Sequence, residues 1–378
     1  MSVAAALATL CFPTTAAAHG GVDDDGYSNY ESTILSIVPA VPGLEITTYG
    51  VAGGIRLENR SGQDVVVLGY DNEPYLRIND SGTFVNLNSR AAYTNQSPDA
   101  NVEVPERASA DPTAEPEWVQ TSRRKYVRWH DHRSHWMGTQ PPDAVVAAPS
   151  QRHVVYEGWE IPLIVNSKPV TVTGDLVYIP PPSRTQWLLI ALAVFGGATL
   201  LLYVLRSSRA MLLLALLGAL GCSAVIAASR ATAEDVVPSR RLWPFITGGV
   251  VVLLLLIGSF SKKKSGPPLF WGLAGAVLVG ASIAYFKALS FSSIDGAPDA
   301  DRIRWSVVVE LGLGAAIAVL TIVSAIENLM INRSVAALME EHEANLAARD
   351  EAVADGFPVS LDPPSAGSTP MTHPPHSN

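Results

Sequence analysis

The residues whose types and spacing could do chemistry lie in one nine-residue run, Trp129-His130-Asp131-His132-Arg133-Ser134-His135-Trp136-Met137. Side chains along an extended strand alternate between faces, so His130 and His132 point to one side, and Asp131, Arg133 and His135 to the other. If the strand ends near Arg133, His135 folds back toward the first two imidazoles. Neutral imidazole suits Cu(II) and Zn(II), the thioether of Met137 suits Cu(I), and Asp131 is placed to orient one imidazole. A free N-terminal His19 would add an amine and an imidazole on one residue, a pair that favours Cu(II). Copper is therefore the expected metal, with His130, His132, His135, His19 and Met137 as ligands.

A plainer reading stands beside it. The run lies next to Arg123, Arg124, Lys125 and Arg128 and can be a solvated charged rim, with Trp129 and Trp136 as core or interface aromatics. Asp131 can pair with Arg133 or Arg128 without any metal. His153 reads as a packed or rim histidine. No nucleophile elbow, no Ser-His-Asp order, no nucleotide loop and no electron-transfer cofactor motif is found, so the chemistry points to binding and not to an enzyme.

The elements that must position these residues are β-strands. Alternating or β-branched segments run over Leu44 to Tyr49, Gly54 to Glu58, Asp64 to Tyr70, Tyr75 to Ile78, Lys125 to His130, His153 to Val165 and Val170 to Ile179. Asn59-Arg60-Ser61-Gly62 and Asn79-Asp80-Ser81-Gly82 are turn tetrads between such runs. The segment from Ser97 to Trp118 has no period and reads as a surface loop. The expectation is an all-β extracytoplasmic sandwich, cupredoxin-like or immunoglobulin-like, over residues 19–182, with Pro180-Pro181-Pro182 as a stiff spacer.

The chain of 378 residues is 48% hydrophobic and only 16% charged, and its character changes near Gln186. Five apolar runs come after that point: Trp187 to Leu205, Ala210 to Ser229, Trp243 to Phe260, Pro268 to Ala288 and Trp305 to Ile326. Each is long enough for a hydrocarbon core of about 30 Å and must be helical to satisfy its own backbone. A five-helix membrane domain is expected over residues 183–332, with the bilayer as its partner. Residues 1–18 read as a signal peptide ending in Ala16-Ala17-Ala18, although no positive charge precedes its apolar stretch. Arg206 to Arg209, Lys262-Lys263-Lys264 and Arg333 place the N-terminal domain outside and the C-terminus in the cytoplasm. Trp187, Trp243 and Trp305 mark the outer interface. Inside the membrane the clear ionisable residues are Lys287 and Glu310, read as an ion pair, with a passage site for a cation as the sharper alternative. The glycines of these helices read as close-packing positions. Residues 333–378 form a cytoplasmic tail, first a polar helix and then a disordered Pro, Ser and Thr-rich stretch.

The net charge of −9 leaves no basic surface for nucleic acid. Cys11 and Cys222 fall in the signal segment and in an apolar run, so neither joins a structural disulfide.

The run Ile55-Arg56-Leu57-Glu58-Asn59-Arg60-Ser61-Gly62, the segments Val65 to Tyr70 and Glu73 to Arg77, and the histidine run resemble an uncharacterised family of actinobacterial exported membrane proteins. That resemblance implies the architecture and brings no activity. The layout, with signal cleavage before a histidine, a β-sandwich and membrane helices, also resembles periplasmic copper-resistance proteins of the C type and their membrane partners. It implies copper handling or presentation outside the membrane. The alternative is a non-catalytic envelope assembly module, docking on another envelope protein without metal.

Overall fold

A computed structural model describes residues 22–23, 26–51, 53–97, 100–204, 209–233, 241–260 and 266–354. The expected signal peptide, His19, Lys262 to Lys264 and the Pro, Ser and Thr-rich tail lie outside the described residues.

The N-terminal part is β-rich. Its strands are β1 (Val22–Asp23), β2 (Tyr27–Ser28), β3 (Tyr30–Val38), β4 (Leu44–Tyr49), β5 (Gly54–Asn59), β6 (Val65–Leu68), β7 (Pro74–Asn79), β8 (Gly82–Asn86), β9 (Trp118–Ser122), β10 (Tyr126–His130), β11 (His153–Val165) and β12 (Lys168–Tyr178). Seven of them form one antiparallel sheet in the order β3-β12-β11-β6-β7-β8-β9, and a second sheet has the order β10-β5-β4. The two turn tetrads behave as their chemistry dictates. Asn59 Oδ1 accepts from the Ser61 amide at 3.1 Å, Asn79 Oδ1 accepts from the Ser81 amide at 2.9 Å, and Asn79 faces Gly82 across the β7–β8 hairpin.

Period-two patterning gives both sheets an apolar face. Ile161, Leu163 and Val165 of β11, Val170, Val172 and Leu176 of β12, and Val65 and Val67 of β6 are buried. They share one core with Ile46, Ile55, Leu57 and Trp129 of the smaller sheet. Full burial of each such aliphatic side chain is worth roughly 1.5–3 kcal/mol. Strands β3, β8 and β9 were not expected from the sequence. β3 is an edge strand that alternates in burial but puts Ser32 and Ser36 on its inner side and Leu35 and Val38 outside, and β9 exposes Val119, so in neither does polarity follow burial. Trp118, placed at the end of a loop, opens β9.

The C-terminal part is helical: α1 (Arg184–Val204), α2 (Arg209–Thr232), α3 (Trp243–Phe260), α4 (Gly266–Ala284) and α5 (Ala300–Ala354). Four of these helices, not five, are long and apolar enough to cross a membrane among the described residues: α1, α2, α3 and α5. The segment Pro268 to Ala288 contributes a shorter apolar helix among the described residues, Leu269–Ala284. After Tyr285 the chain tightens into a three-ten turn, Phe286–Leu289, and then forms β13 (Ser293–Ile294). The glycines are contact positions in several places. A Cβ on Gly275 would stand 2.7 Å from the Gly314 carbonyl oxygen, and one on Gly312 would stand 2.6 Å from Val194 Cγ1, so α5 lies against both α4 and α1. The described residues from Ile322 onward belong to a second unit and form an exposed helix carrying Leu338, Met339 and Glu340.

A third small sheet, β1-β2-β13, stitches the two parts together. Tyr27 is 1% exposed; its hydroxyl meets Arg230 of α2, whose guanidinium lies 4.8 Å from the Tyr27 ring centre. Buried Arg304 of α5 donates to the carbonyl oxygens of Ala288 at 3.0 Å and Ser292 at 2.9 Å, holding the segment that leads into β13. Trp187 and Trp305 meet edge to face with centroids 5.3 Å apart.

Candidate metal-binding site

β10 carries Trp129 into the core and ends at His130, opposite Gly54 of β5. The chain then enters a tight turn instead of continuing as strand. Asp131 has extended backbone and caps a three-ten turn over His132–Ser134, accepting from the Arg133 amide at 3.1 Å. The turn brings all three imidazoles together. Ring centroids lie 5.1 Å apart for His130 and His132, 4.3 Å for His130 and His135, and 5.3 Å for His132 and His135. His135 is 3% exposed, whereas His130 and His132 are half-buried.

Asp131 is the buried anchor of this turn. It is fully buried, and its carboxylate accepts from Trp129 Nε1 at 2.8 Å and from Arg133 Nε and Nη2, each at 2.8 Å. Burial works against its charged form, but the hydrogen bonds and charge of Arg133, helped by the Trp129 indole, outweigh it and hold the carboxyl below the usual range. The carboxylate is thus committed to Arg133 and the Trp129 indole, the plainer pairing that the sequence also offered. Arg133 also donates to the Leu68 carbonyl oxygen at 3.2 Å and sits 5.0 Å from the Tyr70 ring centre.

Backbone groups orient the rings instead. His132 Nε2 lies 2.8 Å from the Ser97 carbonyl oxygen, and His135 Nδ1 lies 3.3 Å from that of Asp131. A carbonyl only accepts, so those nitrogens carry the hydrogen. The His132 ring also stacks on Tyr70 with an interplanar angle of 12°, and the Tyr70 hydroxyl takes the His132 amide at 3.1 Å. Burial, then the charge of Asp131, pushes the Tyr70 phenol upward from its ordinary value. Behind His135 the chain passes through Gly53, whose φ is +70°. A Cβ there would stand 2.7 Å from His135 Cβ, and Ser134 Oγ lies 2.7 Å from the Gly53 carbonyl oxygen. Gly53 also lines a cavity of about 630 Å³ bordered by Tyr30, Tyr49, Thr232 and Asp295, where the β-rich part meets the helices.

Met137 follows the turn, half-buried, and its backbone hydrogen-bonds Tyr156. Its neighbour Trp136 turns away, donating to the Gln140 carbonyl oxygen at 2.9 Å and packing on Tyr156. His153 is a rim residue whose Nε2 lies 2.8 Å from the Ala148 carbonyl oxygen. Among the described residues no three His, Cys, Asp or Glu side chains form a ready metal-holding group. In the helical part, the expected Lys287–Glu310 ion pair is not formed among the described residues. Lys287 lies in the three-ten turn after α4, and Glu310 accepts from Ser223 of α2.

Tyr70, Ser97 and Gly53 were missed by sequence reasoning, since each acts through the backbone or from a distant loop. Gly53-Gly54 ahead of an alternating strand was the one local signal. The chain matches no protein-family model, no curated protein and no solved structure.

Proposed function

We propose that the chain is a membrane-anchored, extracytoplasmic metal-binding protein in which His130, His132 and His135 take up a divalent transition metal, copper ahead of zinc, without being an enzyme. The observation that carries the reading is the convergence of three imidazoles within 4.3–5.3 Å, centre to centre. A metal–nitrogen bond of about 2.0–2.1 Å sets each ring centre about 3.2 Å from the ion, so tetrahedral ligands have centres about 5 Å apart. Two of the three separations already match. The His130–His135 pair, at 4.3 Å, has to open by about 1 Å. Two rings carry their hydrogen toward a carbonyl, and this outer bond leaves the opposite nitrogen in the deprotonated form that ligates. Copper is put ahead of zinc because it binds imidazole more tightly in the general order of divalent-metal affinities. The β-sandwich architecture, the outward placement of the β-rich part and the likeness to exported actinobacterial membrane proteins belong to the same proposal.

A second reading rests on a specific observation as well. Asp131 is spent on Arg133 and the rings already touch edge to face, which suits a purely structural turn in an envelope assembly protein. Equilibrium dialysis of the full chain in lipid nanodiscs against Cu(II) and Zn(II), with elemental analysis, separates the two. Near one copper per chain, lost in a His130→Ala/His132→Ala variant that keeps its unfolding temperature, supports the metal site. No retained metal in either protein leaves the assembly module.

A further inference from the structure

The helical part contains a second titratable site that the metal reading does not use. Glu310 lies in α5, five residues beyond Trp305, hence about 7.5 Å further along the helix. It is 1% exposed in a segment of mean hydropathy 2.3. Its Oε1 accepts from Ser223 Oγ at 2.8 Å, while Oε2 is buried and has no hydrogen-bond partner among the described residues. The charged and titratable groups near it are otherwise engaged or neutral. Arg304, on its own helix, is bound to Asp301 and to the carbonyl oxygens of Ala288, Phe291 and Ser292. Arg230, on α2, is bound to Tyr27; Cys222 beside Ser223 is a thiol; Lys287 sits in the three-ten turn beyond the end of α4. Just beyond it, α5 packs closely on α1 and α4. A Cβ on Gly312 would meet Val194 of α1, and one on Gly314 would stand 2.9 Å from the Gly275 carbonyl oxygen of α4.

An ionised carboxylate in such a place would lie among apolar helices with one oxygen unbonded, and a bound proton removes that charge. We propose that Glu310, hydrogen-bonded by Ser223, is a proton-binding site in the centre of the helix bundle, where the carboxyl is carried as the neutral acid. The proton sits on Oε2, and Oε1 is the carbonyl oxygen that Ser223 bonds. The site goes beyond the metal reading and does not depend on it. Its two helices, α2 and α5, also carry Arg230 and Arg304, which hold Tyr27 and the segment before β13.

The test is infrared difference spectroscopy of the full chain in lipid at neutral pH, reading the carbonyl stretch of protonated carboxylic acids. The wild-type protein is expected to show one such band per chain that Glu310→Gln lacks. Ser223→Ala should keep the band and move it to higher wavenumber, because the carbonyl oxygen loses its hydrogen bond. If Glu310→Gln fails to fold, the Ser223→Ala shift decides alone. Equal acid-band intensity in wild type and Glu310→Gln, or an unmoved band in Ser223→Ala, overturns the proposal.

Discussion

Replacing Asp131 by alanine removes the carboxylate around which the histidine turn is built. The side chain is fully buried and takes hydrogen bonds from the Trp129 indole, the Arg133 amide and two nitrogens of the Arg133 guanidinium. Without it the guanidinium, whose side chain is only 19% exposed, keeps the Leu68 and Gly69 carbonyl oxygens and loses its counter-charge. Removing one member of a buried pair costs about 3–5 kcal/mol, because the other charge stays buried and unpaired. For a folding unit of this size each kcal/mol shifts the midpoint by about 2–4 °C, so Asp131→Ala should lower Tm by about 6–20 °C. The assay is thermal unfolding of the full chain in nanodiscs, followed by tryptophan fluorescence, in Asp131→Ala, Arg133→Met and the double variant. Since most of the cost is the stranded guanidinium, the double variant should unfold no earlier than Asp131→Ala alone. A shift under about 2 °C for Asp131→Ala, or strict addition of the two single effects, would show that the buried pair does not hold the turn.

Three further outcomes are expected. Gly53→Ala should cost on the order of 1–3 kcal/mol, because φ is +70° and the new Cβ would meet His135 Cβ at 2.7 Å; chemical unfolding that matches wild type counts against the contact. Leu163→Ala, at a site 1% exposed in the shared core, should cost about 2–5 kcal/mol in the same measurement, and a cost below about 1 kcal/mol would mean the two sheets do not share that core. Arg230→Met should free β2 from the helices and speed limited proteolysis around Tyr27 to Asn29, whereas Arg302→Met on the exposed side of α5 should not; equal rates in both would show that the Tyr27–Arg230 contact does not pin the strand.

Strands β4 to β7 and β10 to β12 were legible in the sequence. β4 and β11 have the bounds that their patterns imply, since a half-buried strand writes its burial in alternate residues. β3 and β9 were hidden because their exposed faces carry Leu35, Val38 and Val119, so polarity does not follow burial there. The helices announced themselves by apolar length alone. The fourth run, taken to Ala288, counted Phe286 to Ala288 as helix, whereas those residues lie in the three-ten turn that Arg304 holds through the Ala288 carbonyl oxygen. At the site, the spacing of His130, His132 and His135 foretold their meeting provided the strand ended early, and Asp131 supplies the ending by capping the turn. The partners that fix the rings, Ser97 and Asp131 through carbonyl oxygens and Tyr70 through its ring, could not be read, because they belong to backbone and to loops far away in sequence.

The most direct test of the metal reading is paramagnetic resonance of the full chain loaded with one equivalent of Cu(II), compared with His130→Ala, His132→Ala and His135→Ala singly. Copper held by the three imidazoles should give nitrogen hyperfine structure that loses one nitrogen in each single variant and disappears when all three substitutions are combined in a triple variant. A spectrum unchanged in the triple variant, or copper that stays in solution in the wild type, would rule this site out.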